Sequence, residues 1–207
     1  MLRFGSIINL ELNKKNFTIK MKIMGISEKE YKFKIIVVGD PHVGKTTLVK
    51  KYTTGAFQKD YISTLGTQFS NYEENIGGTQ VQLLIWDIAG QKTFEIMRRK
   101  FYIGSAGAII VFSHSPEELY SFNNLEKWLS ELEEYCGDIP IALFGNKIDL
   151  INENELISNE EKVNSDFNVE KLVNKHNIIE YFKTSAFTGR GVTESFQKLV
   201  RELMKKK

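Results

Sequence analysis

Short apolar runs alternate with stretches of helical spacing along most of this chain. The segments Phe33-Lys34-Ile35-Ile36-Val37-Val38, Val81-Gln82-Leu83-Leu84-Ile85-Trp86 and Ala108-Ile109-Ile110-Val111-Phe112 have the length and β-branched content of buried strands. Ile139-Pro140-Ile141-Ala142-Leu143-Phe144 and Ile178-Ile179-Glu180-Tyr181-Phe182 give two more. Between them, residues 117–135 repeat Leu119, Phe122, Leu125, Leu129 and Leu132 at helical intervals, and residues 191–205 do so with Phe196, Leu199, Val200 and Leu203. A further helix is expected near 166–176, after a long polar loop. Asn75-Ile76-Gly77-Gly78-Thr79, set between two strand-like runs, is a hairpin signal. This alternation predicts an α/β fold: a doubly wound, mostly parallel six-stranded sheet flanked by helices, with one antiparallel hairpin strand.

Residues 1–31 read as an extension ahead of the first of these strands, residues 32–205 as one domain, and residues 206–207 as a basic tail. Within the extension, Phe17-Thr18-Ile19-Lys20-Met21-Lys22-Ile23 alternates apolar and polar positions, as an edge strand or adherent ribbon would. With 42% hydrophobic residues the chain can build a real core. One cysteine, Cys136, allows no internal disulfide and fits a reducing, cytoplasmic compartment. No apolar run approaches a membrane span. Both ends are basic and the middle is acidic, so contact with an anionic membrane surface is expected to be weak and peripheral at most. No basic patch interleaved with aromatics marks a nucleic-acid partner.

The loop Gly39-Asp40-Pro41-His42-Val43-Gly44-Lys45-Thr46 follows a strand and precedes a plausible helix beginning with Thr47. That is the context required of the phosphate-binding pattern G-x-x-x-x-G-K-[ST]. Its glycines let backbone N–H groups converge on an anion, and the helix adds its positive dipole end. Lys45 would reach the outer phosphates, and the Thr46 hydroxyl would ligate Mg2+.

Asn146-Lys147-Ile148-Asp149 follows a later strand. A carboxylate such as Asp149 can accept from both the N1–H and the exocyclic amine of guanine, whereas adenine would leave it unpaired. With this motif the chain resembles the small GTPases of the Ras superfamily, most closely the Rab-like branch, over about residues 32–205. The resemblance implies GTP and GDP as ligands. It implies that Asn146 ties the guanine loop to the phosphate loop, while the Lys147 stem lies along base and ribose. It further implies that backbone N–H groups of Thr184-Ser185-Ala186 meet the base oxygen and that Phe57 packs against the ring.

Two further segments resemble the switches of that superfamily. In Tyr61-Ile62-Ser63-Thr64-Leu65-Gly66 the resemblance assigns Tyr61 to the nucleotide and gives Thr64 a hydroxyl for Mg2+ and an N–H for the γ-phosphate. In Trp86-Asp87-Ile88-Ala89-Gly90-Gln91 it gives Asp87 to the metal's water shell, the Gly90 N–H to the γ-phosphate and Gln91 to the attacking water. Gln91, Lys45, Thr64 and Gly90 are then the catalytic set, and Thr46, Thr64 and Asp87 the metal set. Comparison with Ras implies unaided turnover on the order of 10⁻⁴–10⁻³ s⁻¹, accelerated by an activating partner. Effector, exchange factor and activating protein would engage residues 57–69 and 87–103.

The chain departs from the family pattern at Pro41, at Lys92 and at its C-terminal residues. Pro41 stands where Ras has glycine and many Rab proteins have serine; it could crowd an incoming arginine finger. His42 reads as a solvent-facing loop residue. Lys92, Arg98, Arg99 and Lys100 form either a basic partner surface or a solvated helix face. The end Leu203-Met204-Lys205-Lys206-Lys207 has no cysteine, so prenylation is not expected. The competing readings are a GTP-binding scaffold with negligible hydrolysis and, disfavoured by the guanine motif, a phosphate-loop ATPase or nucleotide kinase.

Overall fold

A computed structural model describes residues 30–53, 61–64, 66–158, 161–176 and 178–207. The ribbon expected at Phe17–Ile23 and the aromatic Phe57 lie outside these residues. Along the chain come β1 (Glu30–Val38), α1 (Lys45–Thr53), β2 (Tyr61–Thr64), β3 (Thr67–Ile76), β4 (Thr79–Ile88) and α2 (Glu95–Tyr102). There follow β5 (Gly107–Ser113), α3 (Tyr120–Asn123), α4 (Leu125–Cys136), β6 (Ile141–Asn146), α5 (Asn154–Ser158), α6 (Asp166–Lys175), β7 (Glu180–Lys183) and α7 (Val192–Lys205).

The sheet order is β2-β3-β4-β1-β5-β6-β7, parallel from β4 through β7 and antiparallel at β3. This is the predicted doubly wound architecture. It has one more strand than the apolar runs suggested, because Tyr61–Thr64 pairs antiparallel with Ser70–Thr67 at the edge. Tyr61-Ile62-Ser63-Thr64 is only four residues long and lacks a continuous apolar run, so the sequence carries no clear strand signal there. The hairpin forms at the predicted turn, where the Asn75 side chain accepts from the Gly78 N–H at 2.9 Å.

Alternation in β1 feeds two cores. Phe33, Ile35 and Val37 pack on one face with Leu48, Tyr52, Phe196, Leu199 and Leu203 of α1 and α7. Ile36 and Val38 face the other way, toward Tyr102, Leu125, Trp128, Leu129 and Leu132 of α2 and α4. Every residue of central β5 is buried, as a strand covered on both faces must be. Strand order runs one way from β1 to β4 and β3, and the other way to β5 and β6. The loop after β1 therefore lies at the topological switch point, where such sheets bind ligands.

The expected single helix over 117–135 is broken. A 3-10 turn at Pro116–Glu118 leads into α3, and α4 starts afresh after Asn124. At the junction Asn124 keeps right-handed helical backbone angles, donating to the Tyr120 carbonyl and accepting from the Trp128 N–H, while its side-chain amide donates to Asp40 Oδ2 at 2.5 Å. The polar stretch before α6 is also more ordered than a surface loop. It carries α5, buries Leu156, Asn164 and Ser165, and is pinned by a bidentate Arg190–Glu153 pair.

Candidate functional site

Val38 ends β1, and the chain then turns through Gly39–Gly44 into α1. Gly44 has φ +95°, and a Cβ there would sit 2.3 Å from Asn146 Nδ2, so both torsion and space exclude a side chain. His42 also adopts positive φ, at 66°, and is exposed as expected. The Lys45 ammonium is folded back into the loop, donating to the carbonyls of Gly39 (2.8 Å) and Asp40 (2.7 Å). Burial pulls its pKa down to about 8, against the opposing charges of Asp87 and Asp40. An anion seated in the loop would restore the charged form.

The Thr46 hydroxyl, at the start of α1, donates to Asp87 Oδ2 near the end of β4. Burial lifts the Asp87 carboxyl above its ordinary range, against the Thr46 hydrogen bond and the Lys45 charge. A hydroxyl and a buried carboxylate in contact make a hard oxygen pair, the donor type that Mg2+ takes with a few protein ligands beside phosphates and water. These residues fit that ion. A cavity of about 270 Å³ opens beside them, lined by Pro41, Lys45, Thr46, Asp87, Gly90 and Gln91 among others. Gly90 lies so close to the phosphate loop that a Cβ would fall 2.3 Å from the Gly39 carbonyl oxygen.

A second cavity, about 390 Å³, adjoins the other side of the loop. Gly44, Thr47, Asn146, Lys147, Asp149, Leu150, Ala186 and Phe187 line it, and its wall is mostly apolar, as a planar base requires. Asn146 is the junction. Its Nδ2 donates to the Val43 carbonyl at 2.8 Å, and its Oδ1 accepts from the Ala186 N–H at 3.0 Å and the Thr184 hydroxyl at 3.4 Å. One fully buried amide thus ties the loops after β1, β6 and β7 together. Asp149 is exposed at this cavity, on a 3-10 turn entered through Lys147 at φ 63°.

Two cavities of these chemistries, a phosphate-and-cation end and a base end joined by one asparagine, lie along the carboxyl ends of the strands. A model of the Ras family matches residues 34–205. Human Ras-related protein Rab-8B is 33% identical over 180 residues, covering 86% of this chain and 81% of its own. GTP-binding protein YPT1 of Saccharomyces cerevisiae is 33% identical over 178 residues, with 86% and 81% covered. Rab-1D of Dictyostelium discoideum is 32% identical over 177 residues, with 85% and 81% covered. The chain belongs to the Ras family. It is a Rab-like small GTPase.

In this Rab-like GTPase most of the residues singled out in the sequence converge on the two cavities. Thr64 lies in β2 opposite Thr67, with its side chain, like that of Tyr61, outside the description. The Thr184–Ala186 loop differs from expectation in one respect. Its N–H groups are already engaged: Thr184 with the Gly145 carbonyl at 2.8 Å, Ser185 with the Arg190 carbonyl at 3.0 Å, Ala186 with Asn146. A base oxygen would share the Ala186 N–H with Asn146 Oδ1.

Arg98 is corrected. It contributes to no basic surface, being 1% exposed, paired with Glu131 and stacked 4.6 Å over the Trp128 ring. Arg99 and Lys100 remain exposed. Sequence reasoning missed Asn124 and Trp128, which hold Asp40 from α4 and its N-terminal junction at 2.5 and 2.8 Å, because no local signal links positions so far apart. It also missed Leu150 and Phe187 at the base cavity. Phe187 could have been found: it directly follows the Thr184–Ala186 motif and stays 84% exposed beside an apolar wall.

Proposed function

We propose that this Rab-like protein is a regulatory switch that cycles between GTP- and GDP-bound conformations by slow, Mg2+-dependent hydrolysis. Residues 32–205 would form the GTPase domain, following an N-terminal extension and ending in a short basic tail. The observation that carries the reading is the Asn146 junction, which makes the phosphate and base cavities one site.

Phosphoryl transfer needs alignment and charge neutralisation more than a strong base. Lys45, drawn off the Gly39 and Asp40 carbonyls, would neutralise the outer phosphates. Thr46, Thr64 and Asp87 would hold magnesium, which neutralises charge on the transferring group. Gln91, exposed at the phosphate cavity, would orient the attacking water, and the Gly90 N–H would meet the γ-phosphate. Loss of that phosphate would release the segments around Thr64 and Gly90, the physical basis of a switch.

Regulators and effectors would read residues 57–69 and 87–103. In support, Ile96, Met97 and Ile103 are exposed there, and Phe69, Trp86 and Phe101 form a contiguous aromatic cluster. The Rab relatives suggest membrane traffic as the setting. Membrane contact would be weak and peripheral at most; no helix among the described residues is long and apolar enough to cross a membrane.

The scaffold reading rests on Pro41, a residue lining the phosphate cavity where an activating arginine would enter. Single-turnover hydrolysis of GTP and ATP with magnesium, alongside Gln91→Leu, separates the readings. Slow GTP-specific turnover, lost in Gln91→Leu, supports the switch. Retention of GTP without turnover supports the scaffold.

A further inference from the structure

The Lys147 ammonium donates to Glu118 Oε1 at 2.8 Å, and this pair joins two segments with no local sequence relation. Glu118 sits on the 3-10 turn after β5 and is 8% exposed, unusual for a glutamate outside a designed pairing. Its other oxygen accepts from the Ser113 hydroxyl at 3.1 Å. The turn itself is fastened on both sides. Glu118 N–H donates to the Ser115 carbonyl at 3.0 Å, and the Ser121 hydroxyl donates to the Glu118 carbonyl at 2.6 Å. Ser121 Oγ in turn accepts from the Ser113 N–H at 3.0 Å, closing the cage onto the end of β5. Burial pushes the Glu118 carboxyl up, but hydrogen bonds from Lys147, Ser115 and Ser113 outweigh it and keep it below its ordinary range.

Lys147 is fixed at its other end too, by the left-handed backbone at φ 63° between β6 and the Ile148–Leu150 turn. A lysine held at both ends has its stem direction set, and Lys147 is one of the residues lining the base cavity. A free lysine must surrender most of its rotamers when it covers a ligand, whereas this one has already done so.

We propose that Glu118 is a positioning residue that holds the Lys147 stem against the base and thereby sets how long a guanine nucleotide stays bound. The inference rests on the guanine-site reading of the cavity. It adds a determinant of residence time that lies outside the phosphate and guanine motifs. The carboxylate does not touch the nucleotide and acts only through the lysine.

The test uses the full chain loaded with a fluorescent GDP analogue and chased with excess GDP, for wild type, Glu118→Ala, Lys147→Ala and the double variant. Glu118→Ala is expected to speed release about 3- to 10-fold, the range set by unfixing one flexible side chain. The double variant is expected to release no faster than Lys147→Ala alone. Release from Glu118→Ala within about twofold of wild type, or increments that multiply in the double variant, would overturn the proposal. Should Glu118→Ala not fold, Glu118→Gln keeps the shape but removes the charge and leaves one acceptor oxygen where the carboxylate offers two, so it cannot accept from both Lys147 and Ser113, and the same cycle is read with it. A wild type that retains no guanine nucleotide would overturn the GTPase reading and this inference together, an outcome distinct from a wild type that binds and ignores Glu118.

Discussion

Arg98 donates through Nε and Nη2 to the two carboxylate oxygens of Glu131, at 2.6 and 2.7 Å, and so locks α2 to α4. The same guanidinium reaches the Gln91 carbonyl at 3.4 Å and stacks on Trp128, whose indole N–H holds Asp40 at 2.8 Å. The segment bearing Gln91 and the phosphate loop are thereby fastened to the same stretch of helix.

Removing one partner of a buried ion pair strands the other charge, which costs about 3–5 kcal/mol. Glu131→Ala should therefore lower chemical-denaturation stability by that order. Arg98→Met combined with Glu131→Leu should recover part of it, because two apolar groups need no counterion, while the buried Tyr102 hydroxyl loses the Glu131 acceptor it has at 3.0 Å. Equal losses in single and double variants would show that the pair is not what holds these helices.

Lys45 gives the nucleotide-free protein a pH signature. Its pKa falls from 10.5 in the unfolded chain to about 8 in the fold, chiefly by burial. Between those values the unfolded chain binds the extra proton, so stability rises with pH across this window. Below about 8 both states are charged and the penalty for burying the ammonium is fully felt. Thermal unfolding of wild type against Lys45→Met should show the difference shifting toward wild type as pH rises through the window. A pH-independent difference would mean the amine escapes to solvent.

His114 predicts the opposite end of the scale. It is 1% exposed between Tyr181, 2.7 Å from Nε2, and Asn164, 3.0 Å from Nδ1; burial, then the charges of Lys183 and Lys162, lower its pKa from 6.5 to about 3. The folded ring stays neutral while the unfolded ring protonates, so its contribution is present above 6.5 and is lost as pH falls toward 3. Relative to His114→Gln, wild type should lose about 1 kcal/mol per pH unit below neutrality. Denaturation at pH 7 and pH 5 measures it, and parallel losses in both proteins would refute the assignment.

Gly90 offers a steric test of the switch. Its missing side chain would meet the Gly39 oxygen at 2.3 Å and Pro41 N at 2.8 Å, both backbone atoms that cannot swing away. Gly90→Ala should therefore force this segment off the phosphate loop. Single-turnover GTP hydrolysis is expected to fall about 100-fold or more, as for loss of one transition-state hydrogen-bond donor. Base binding, made in the other cavity, should persist. An unaltered rate would place Gly90 away from the reacting phosphate.

Much of this was legible in the sequence because the signals are local. The strand runs around Ile36, Ile110 and Leu143 declare themselves by continuous burial on both faces. Gly44, Lys45 and Thr46 do so because one loop supplies its own glycine, cation and hydroxyl. Asn146 and Asp149 were readable because four consecutive residues after one strand carry the whole motif. What local patterns could not carry is distance. Apolar repeats predict one helix over 117–135, yet the stretch divides into a 3-10 turn and two helices, with the Asn124 side chain at their junction holding Asp40; Arg98 reads as one more surface cation, yet it is buried and paired with Glu131 of α4. The sequence by itself determined the central strands, the alternation of strand and helix and the motif carried by each loop, since these depend on neighbours along the chain. Only the tertiary structure decided which charges are buried and paired, because that depends on surfaces brought together by packing. Glu118 and Lys147, far apart in sequence and 2.8 Å apart in space, are where that difference bears on function.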